Sequence, residues 1–134
     1  MRARDFDAVV EAAVAKIPPR FRSRMNNVVF VVEPEPPSRL RTRGGELLGL
    51  YEGRPLTGRS VAEPFAMPDR ITIFQGPHER QARGPVHLRQ LVEETVWHEV
   101  AHYFGMDERQ VRSAERRRAR RGQGGAGDSP ARAD

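Results

Sequence analysis

A chain of 134 residues with 37% hydrophobic and 31% charged positions suits one compact domain and not two. The absence of cysteine excludes a disulfide framework, a thiolate nucleophile and a Cys-ligated zinc, and no apolar run approaches the roughly 20 residues that cross a bilayer. Of the net charge of +5, +3 falls in residues 113–134 and +2 in the rest, with 22 arginines to the single Lys16.

From the N-terminus, the charged opening through Asp7 lacks the apolar stretch of a secretory signal, so cytoplasmic residence is expected and no membrane partner. Residues 4–17 read as an amphipathic helix, with Phe6, Val9, Val10, Ala13, Val14 and Ile17 at helical spacing. Asp5 and Asp7 suit its positive end and Pro18-Pro19 stops it. Met25 to Val32 holds the continuous run Val28-Val29-Phe30-Val31-Val32, closed by Pro34, Pro36 and Pro37, and reads as a buried strand. Turn formers dominate from Glu33 to Pro68, with one short strand expected within Glu46 to Glu52. Arg70 to Gln75 reads as a further strand, bounded by Pro68-Asp69 and Gly76-Pro77, with Ile71, Ile73 and Gln75 facing one way.

The long element follows. Gly84 can serve as N-cap, Pro85 as the first helical residue and Gly105 as the stop, with no Gly or Pro between Pro85 and Phe104. Val92, Val96, Val100 and Tyr103 form one stripe, and Leu91, Glu94, Thr95, His98 and His102 lie roughly opposite. A short second helix is expected over about Asp107 to Arg118. The Gly/Arg-rich tail, residues 113–134, has nothing to bury and is expected to be disordered.

On the less apolar side of the long helix stands His98-Glu99-Val100-Ala101-His102, the H-E-x-x-H pattern. Residues i and i+4 share a helix face, so His98 and His102 can bind one zinc ion at about 2.0–2.1 Å each. Glu99 is offset by about 100°, free to accept a proton from an activated water attacking a carbonyl. Catalytic zinc takes a third protein ligand. Gly105 lets the chain turn back, which makes Glu108, ten residues beyond His98, the first candidate and Asp107 the competing one. His78 and His87 are less favoured, His87 because it lies eleven residues before His98, too far along the helix to share the ion.

Three stretches carry a resemblance: Leu47-Leu48-Gly49-Leu50-Tyr51-Glu52-Gly53, Pro68-Asp69-Arg70-Ile71, and Val96 through Asp107. Together they resemble the small minimal-zincin metallopeptidases, whose pattern closes H-E-x-x-H-x-x-G-x-x-D. The resemblance covers about residues 4–112 and implies His98, His102 and Glu108 as zinc ligands and Glu99 as catalytic base, with Glu standing where the family has Asp. It implies a metallopeptidase acting on peptide or unfolded-protein substrates.

The expected fold is one α+β domain over residues 1–112: an N-terminal helix, a small mixed sheet, the long metal-binding helix and a short helix behind it. The cleft of so small a domain is expected to be short and open, completed by a protein partner or suited to small or unfolded substrates. In zincins generally, the strand before the metal helix pairs with substrate; Ile71 to Gln75 is expected either to do so or to be a core strand without a free edge. Leu47 to Tyr51 reads first as a structural hairpin and second as a contributor to the cleft. Trp97 and Phe104 read as core, and Tyr103 as a poor oxyanion stabiliser. The arginines at 116–121 lack the interleaved aromatics of single-strand binders, so nucleic acid is not expected as a partner. The competing reading is a metal-stabilised interaction module without turnover.

Overall fold

The protein is described by a computed structural model that covers residues 1–40, 45–53 and 68–105. The N-terminal helix α1 spans Ala3–Ala15, burying Phe6, Val10 and Ala13 on the stripe the periodicity predicts. It ends before Ile17, and Pro19 opens a separate short helix, α2 (Pro19–Arg22), because proline is tolerated at a first turn but not inside a helix.

Three strands follow, β1 (Val28–Glu33), β2 (Gly49–Glu52) and β3 (Asp69–Phe74), in the spatial order β1-β3-β2. β1 runs parallel to β3, with Val28 opposite Asp69, and β2 runs antiparallel to it, with Gly49 opposite Ile73 and Tyr51 opposite Ile71. This order corrects the reading of Val28 to Val32 as buried. Among the described residues the strand lies at an edge, its residues are half-buried or exposed, and Val29 is 42% exposed. A continuous apolar run is the mark of a strand covered on both faces. Here the doubly covered strand is β3, whose Ile71, Thr72, Ile73 and Phe74 are all buried.

Gln75 is not the last strand residue but the first of α3 (Gln75–Gln81). Gly76-Pro77, expected to end the strand in a turn, opens this helix instead, with proline in the first turn where its missing N–H is harmless. The long helix α4 (Pro85–Tyr103) closes the described fold. One core joins α1, the inner face of the sheet and α4 through Phe6, Val10, Ile71, Ile73, Val92, Val96 and Val100. The architecture is α+β with a small mixed sheet, as expected. The predicted helix at 107–118 and the tail lie outside the described residues. No helix among the described residues is long and apolar enough to cross a membrane.

Candidate metal centre

The site rests on how α4 is held. Gly84 takes the N-cap position with φ +135°, Pro85 follows at the first turn, and Gly105, with φ +81°, ends the helix. The Gly105 N–H donates to the His102 carbonyl at 2.9 Å. The stripe Val92, Val96, Val100 and Tyr103 is at most 1% exposed, so packing fixes the rotation of α4 about its axis. Tyr103 adds a polar lock at the last turn. Its hydroxyl accepts from the Asn26 N–H at 2.9 Å and donates back to the Asn26 carbonyl at 3.3 Å.

With that rotation fixed, His98 and His102 stand one above the other, each half-buried, their ring centroids 4.6 Å apart and their planes inclined by 59°. Glu99 is buried, 6% exposed, and its Oε1 lies 3.5 Å from His102 Nδ1. Each of the three offers a ligand atom, and these atoms lie within 4.8 Å of one another. Two donors bound to one zinc at about 2.0–2.1 Å can be at most about 4.2 Å apart, a dimension close to that of this cluster. Imidazole nitrogens and a carboxylate, with no thiolate, are a donor set that suits zinc and several other divalent ions. The residues present therefore fit a metal.

Asp107 and Glu108, the candidates for a third ligand, lie outside the described residues. His87 is at the opposite end of α4, where its Nδ1 accepts from the Arg83 N–H at 2.9 Å. His78 is fully buried in α3, with Nδ1 2.7 Å from the Phe74 carbonyl and Nε2 2.9 Å from Thr95 Oγ1. Trp97 is buried, and Phe104 packs at the core margin with its ring centroid 5.9 Å from that of Phe21.

The strand that borders the site is not the one offered for substrate pairing. β3 is paired on both sides, so it has no edge to give, and the core reading of Ile71 to Gln75 is the one that stands. β2 lies beside the metal helix instead: a side chain at Gly49 would meet Thr95 and Glu99 of α4. The outer edge of β2 pairs with no strand among the described residues. The sequence reading puts Thr95 on the His98/His102 side of α4 and reads Leu47 to Tyr51 first as a hairpin; what it missed is that Gly49 and His78 both meet Thr95. The available signal was Thr95, a β-branched residue one turn before Glu99 in the middle of a buried helix.

A family model described as zincin-like metallopeptidase matches residues 25–118. No curated protein matches the sequence. Among solved structures, a conserved hypothetical protein from Thermo thermophilus is similar, with a TM-score of 0.55 and 24% identity over 78% of this chain and 94% of that one. That likeness speaks for the fold.

Proposed function

The chain belongs to the zincin-like metallopeptidase family, and from that premise we propose that it hydrolyses peptide bonds with zinc as its cofactor. The observation that carries the reading is the convergence of His98, Glu99 and His102 within 4.8 Å near the C-terminal end of α4. His98 and His102 would hold the ion, with Glu108 as the third ligand and Asp107 as its rival. A zinc ion held there supplies a Lewis acid that acidifies water and polarises a carbonyl. Glu99 accepts the proton of the attacking water and returns it to the leaving amine. Its burial keeps bulk water from competing for that proton, and the neighbouring His102 fixes where the carboxylate sits. The outer edge of β2 offers backbone groups along which an extended peptide can lie.

The working domain spans residues 1–112 and the arginine-rich segment 113–134 plays no part in the chemistry. A cysteine-free chain with this chemistry is assigned to the cytoplasm, acting on peptides or unfolded proteins.

A second reading has its own support. Both tyrosine hydroxyls are committed elsewhere, Tyr103 to Asn26 and Tyr51 to Asp69 Oδ2 at 2.8 Å, so neither stabilises an oxyanion. That favours a metal-stabilised module without turnover. Elemental mass spectrometry of untagged protein, wild type beside His98→Ala and Glu108→Ala, tests the metal. About one zinc per chain, lost in His98→Ala, supports the centre; a wild type that stays empty after zinc is added back overturns it. Hydrolysis of quenched-fluorescent casein then separates the two readings. Glu99→Gln should keep zinc and lose turnover by about 10²- to 10⁴-fold, whereas a zinc-loaded wild type without turnover leaves the module.

A further inference from the structure

Glycines at turns and helix ends usually answer to the backbone, and two described glycines of this fold do not, Gly76 at the start of α3 and Gly49 in β2. Gly45, Gly53, Gly84 and Gly105 have φ between +81° and +143°, a region side chains rarely adopt. Gly49 is not among them, so its backbone is one that any residue could take. It sits in a strand, where glycine is disfavoured for want of a side chain to pack. Space explains it. A Cβ on Gly49 would lie 2.7 Å from Thr95 Cγ2, 3.2 Å from the Thr72 carbonyl and 3.3 Å from Glu99 Cγ.

Two of these three neighbours, the Thr95 methyl and the Thr72 carbonyl, are not free to yield. The Thr95 hydroxyl lies 2.9 Å from both His78 Nε2 and the Leu91 carbonyl, so the side chain is held from two sides and its methyl is fixed toward β2. The Thr72 carbonyl belongs to the central strand. β2 itself is anchored, with Gly49 paired to Ile73 and the Phe74 N–H donating to the Leu48 carbonyl at 3.0 Å. The strand backbone at Gly49 is therefore pressed against the two α4 residues that stand one turn apart, Thr95 and Glu99. Glu99 Cγ is the atom about which the carboxylate swings, and the strand closes one side of its range.

We propose that Gly49 is a positioning residue for Glu99. With the Thr95 methyl it forms a stop that holds the carboxylate in its place beside the metal ligands. This rests on the metal-centre reading above and adds to it the strand β2 and the helix turn that carries Thr95.

The test pairs two opposite changes. Gly49→Ala adds a methyl at the stop, and Thr95→Ser removes one while keeping the hydroxyl. Each variant is loaded with Co²⁺, and its visible spectrum follows titration with acetohydroxamate, whose N–OH needs a carboxylate acceptor beside the metal, and with azide, which does not. Gly49→Ala should weaken acetohydroxamate about tenfold, the worth of one hydrogen bond to a charged group, and Thr95→Ser about threefold. Azide should change less than about twofold in both. The double variant puts the new methyl where the old one was and should return to within about twofold of wild type, a coupling that independent sites do not show. Where Gly49→Ala alone does not fold, Thr95→Ser and the double variant decide by the same loss and recovery. Singles that bind acetohydroxamate like wild type, or a double variant no better than its weaker parent, overturn the proposal while leaving the metal centre intact. A wild type that takes up no Co²⁺ overturns the metal-centre reading and this proposal together.

Discussion

His78 and the pair His98/His102 are the same residue type in opposite settings, within one helix-packing unit. His78 is fully buried, and both of its ring nitrogens meet protein oxygens, the Phe74 carbonyl and the Thr95 hydroxyl. It ties the end of β3 to the middle of α4. His98 and His102 stand half-buried on α4, stacked at 4.6 Å with a carboxylate at their side. Burial and hydrogen-bond saturation make the first a strut. Shared partial exposure on one helix face makes the others a candidate ligand pair. A histidine's task is thus decided less by its neighbours in sequence than by whether its nitrogens face the protein or a common point outside it.

The sharpest way to break this contrast is to exchange consequences. His98→Ala should lower zinc affinity by more than about 100-fold, beyond what loss of a supporting residue does, while the metal-free protein melts as wild type does. Competition against a chromophoric chelator and calorimetry measure the two. His78→Ala should do the reverse, destabilising by about 2–4 kcal/mol because it removes two buried hydrogen bonds and opens a cavity. Urea unfolding reads this, and zinc per folded chain should not change. Loss of zinc in the folded His78→Ala protein would erase the distinction.

Smaller effects sharpen it. Tyr103→Phe removes a hydroxyl bonded to both backbone groups of Asn26 and should lower stability by about 1–2 kcal/mol, with metal binding preserved. It would mark the end of the metal helix as structural on its inner side. At the small end, the ion pair of Lys16 with Glu93, 2.6 Å apart near the surface, should contribute less than about 1 kcal/mol in a double-mutant cycle.

The parts legible in the sequence were those with local cause. α4 is bounded by Gly84, Pro85 and Gly105, each of which dictates backbone conformation at its own position, and its valine stripe needs no partner to be recognised. The H-E-x-x-H pair likewise depends only on helical spacing. What depended on remote partners was not legible. The apolar run of β1 reads the same whether the strand is central or at an edge, because its neighbours come from residues about forty positions away. Gly76-Pro77 ends a strand or begins a helix with equal chemistry, and the contacts that accompany the helix, His78 with Thr95 and the Gly76 N–H with the Pro34 carbonyl, come from remote residues. Gly49 was read as one turn former among several, since a sequence does not reveal that Glu99 waits on the other side of its missing side chain.

The edge position of β1 has a consequence for how this protein behaves in the tube. Val28 to Val32 is an uncharged, β-branched segment without proline or glycine, the composition of strands that stack into cross-β fibrils. One of its two hydrogen-bonding edges meets no strand among the described residues, and Val29 points outward. Glu33 and Pro34-Glu35-Pro36-Pro37 follow it directly, a pair of charges and three prolines of the kind that act as gatekeepers against edge-to-edge growth. Shelf life in concentrated solution therefore turns on that short acidic, proline-rich flank, and Val29→Lys is the change that should delay turbidity on heating.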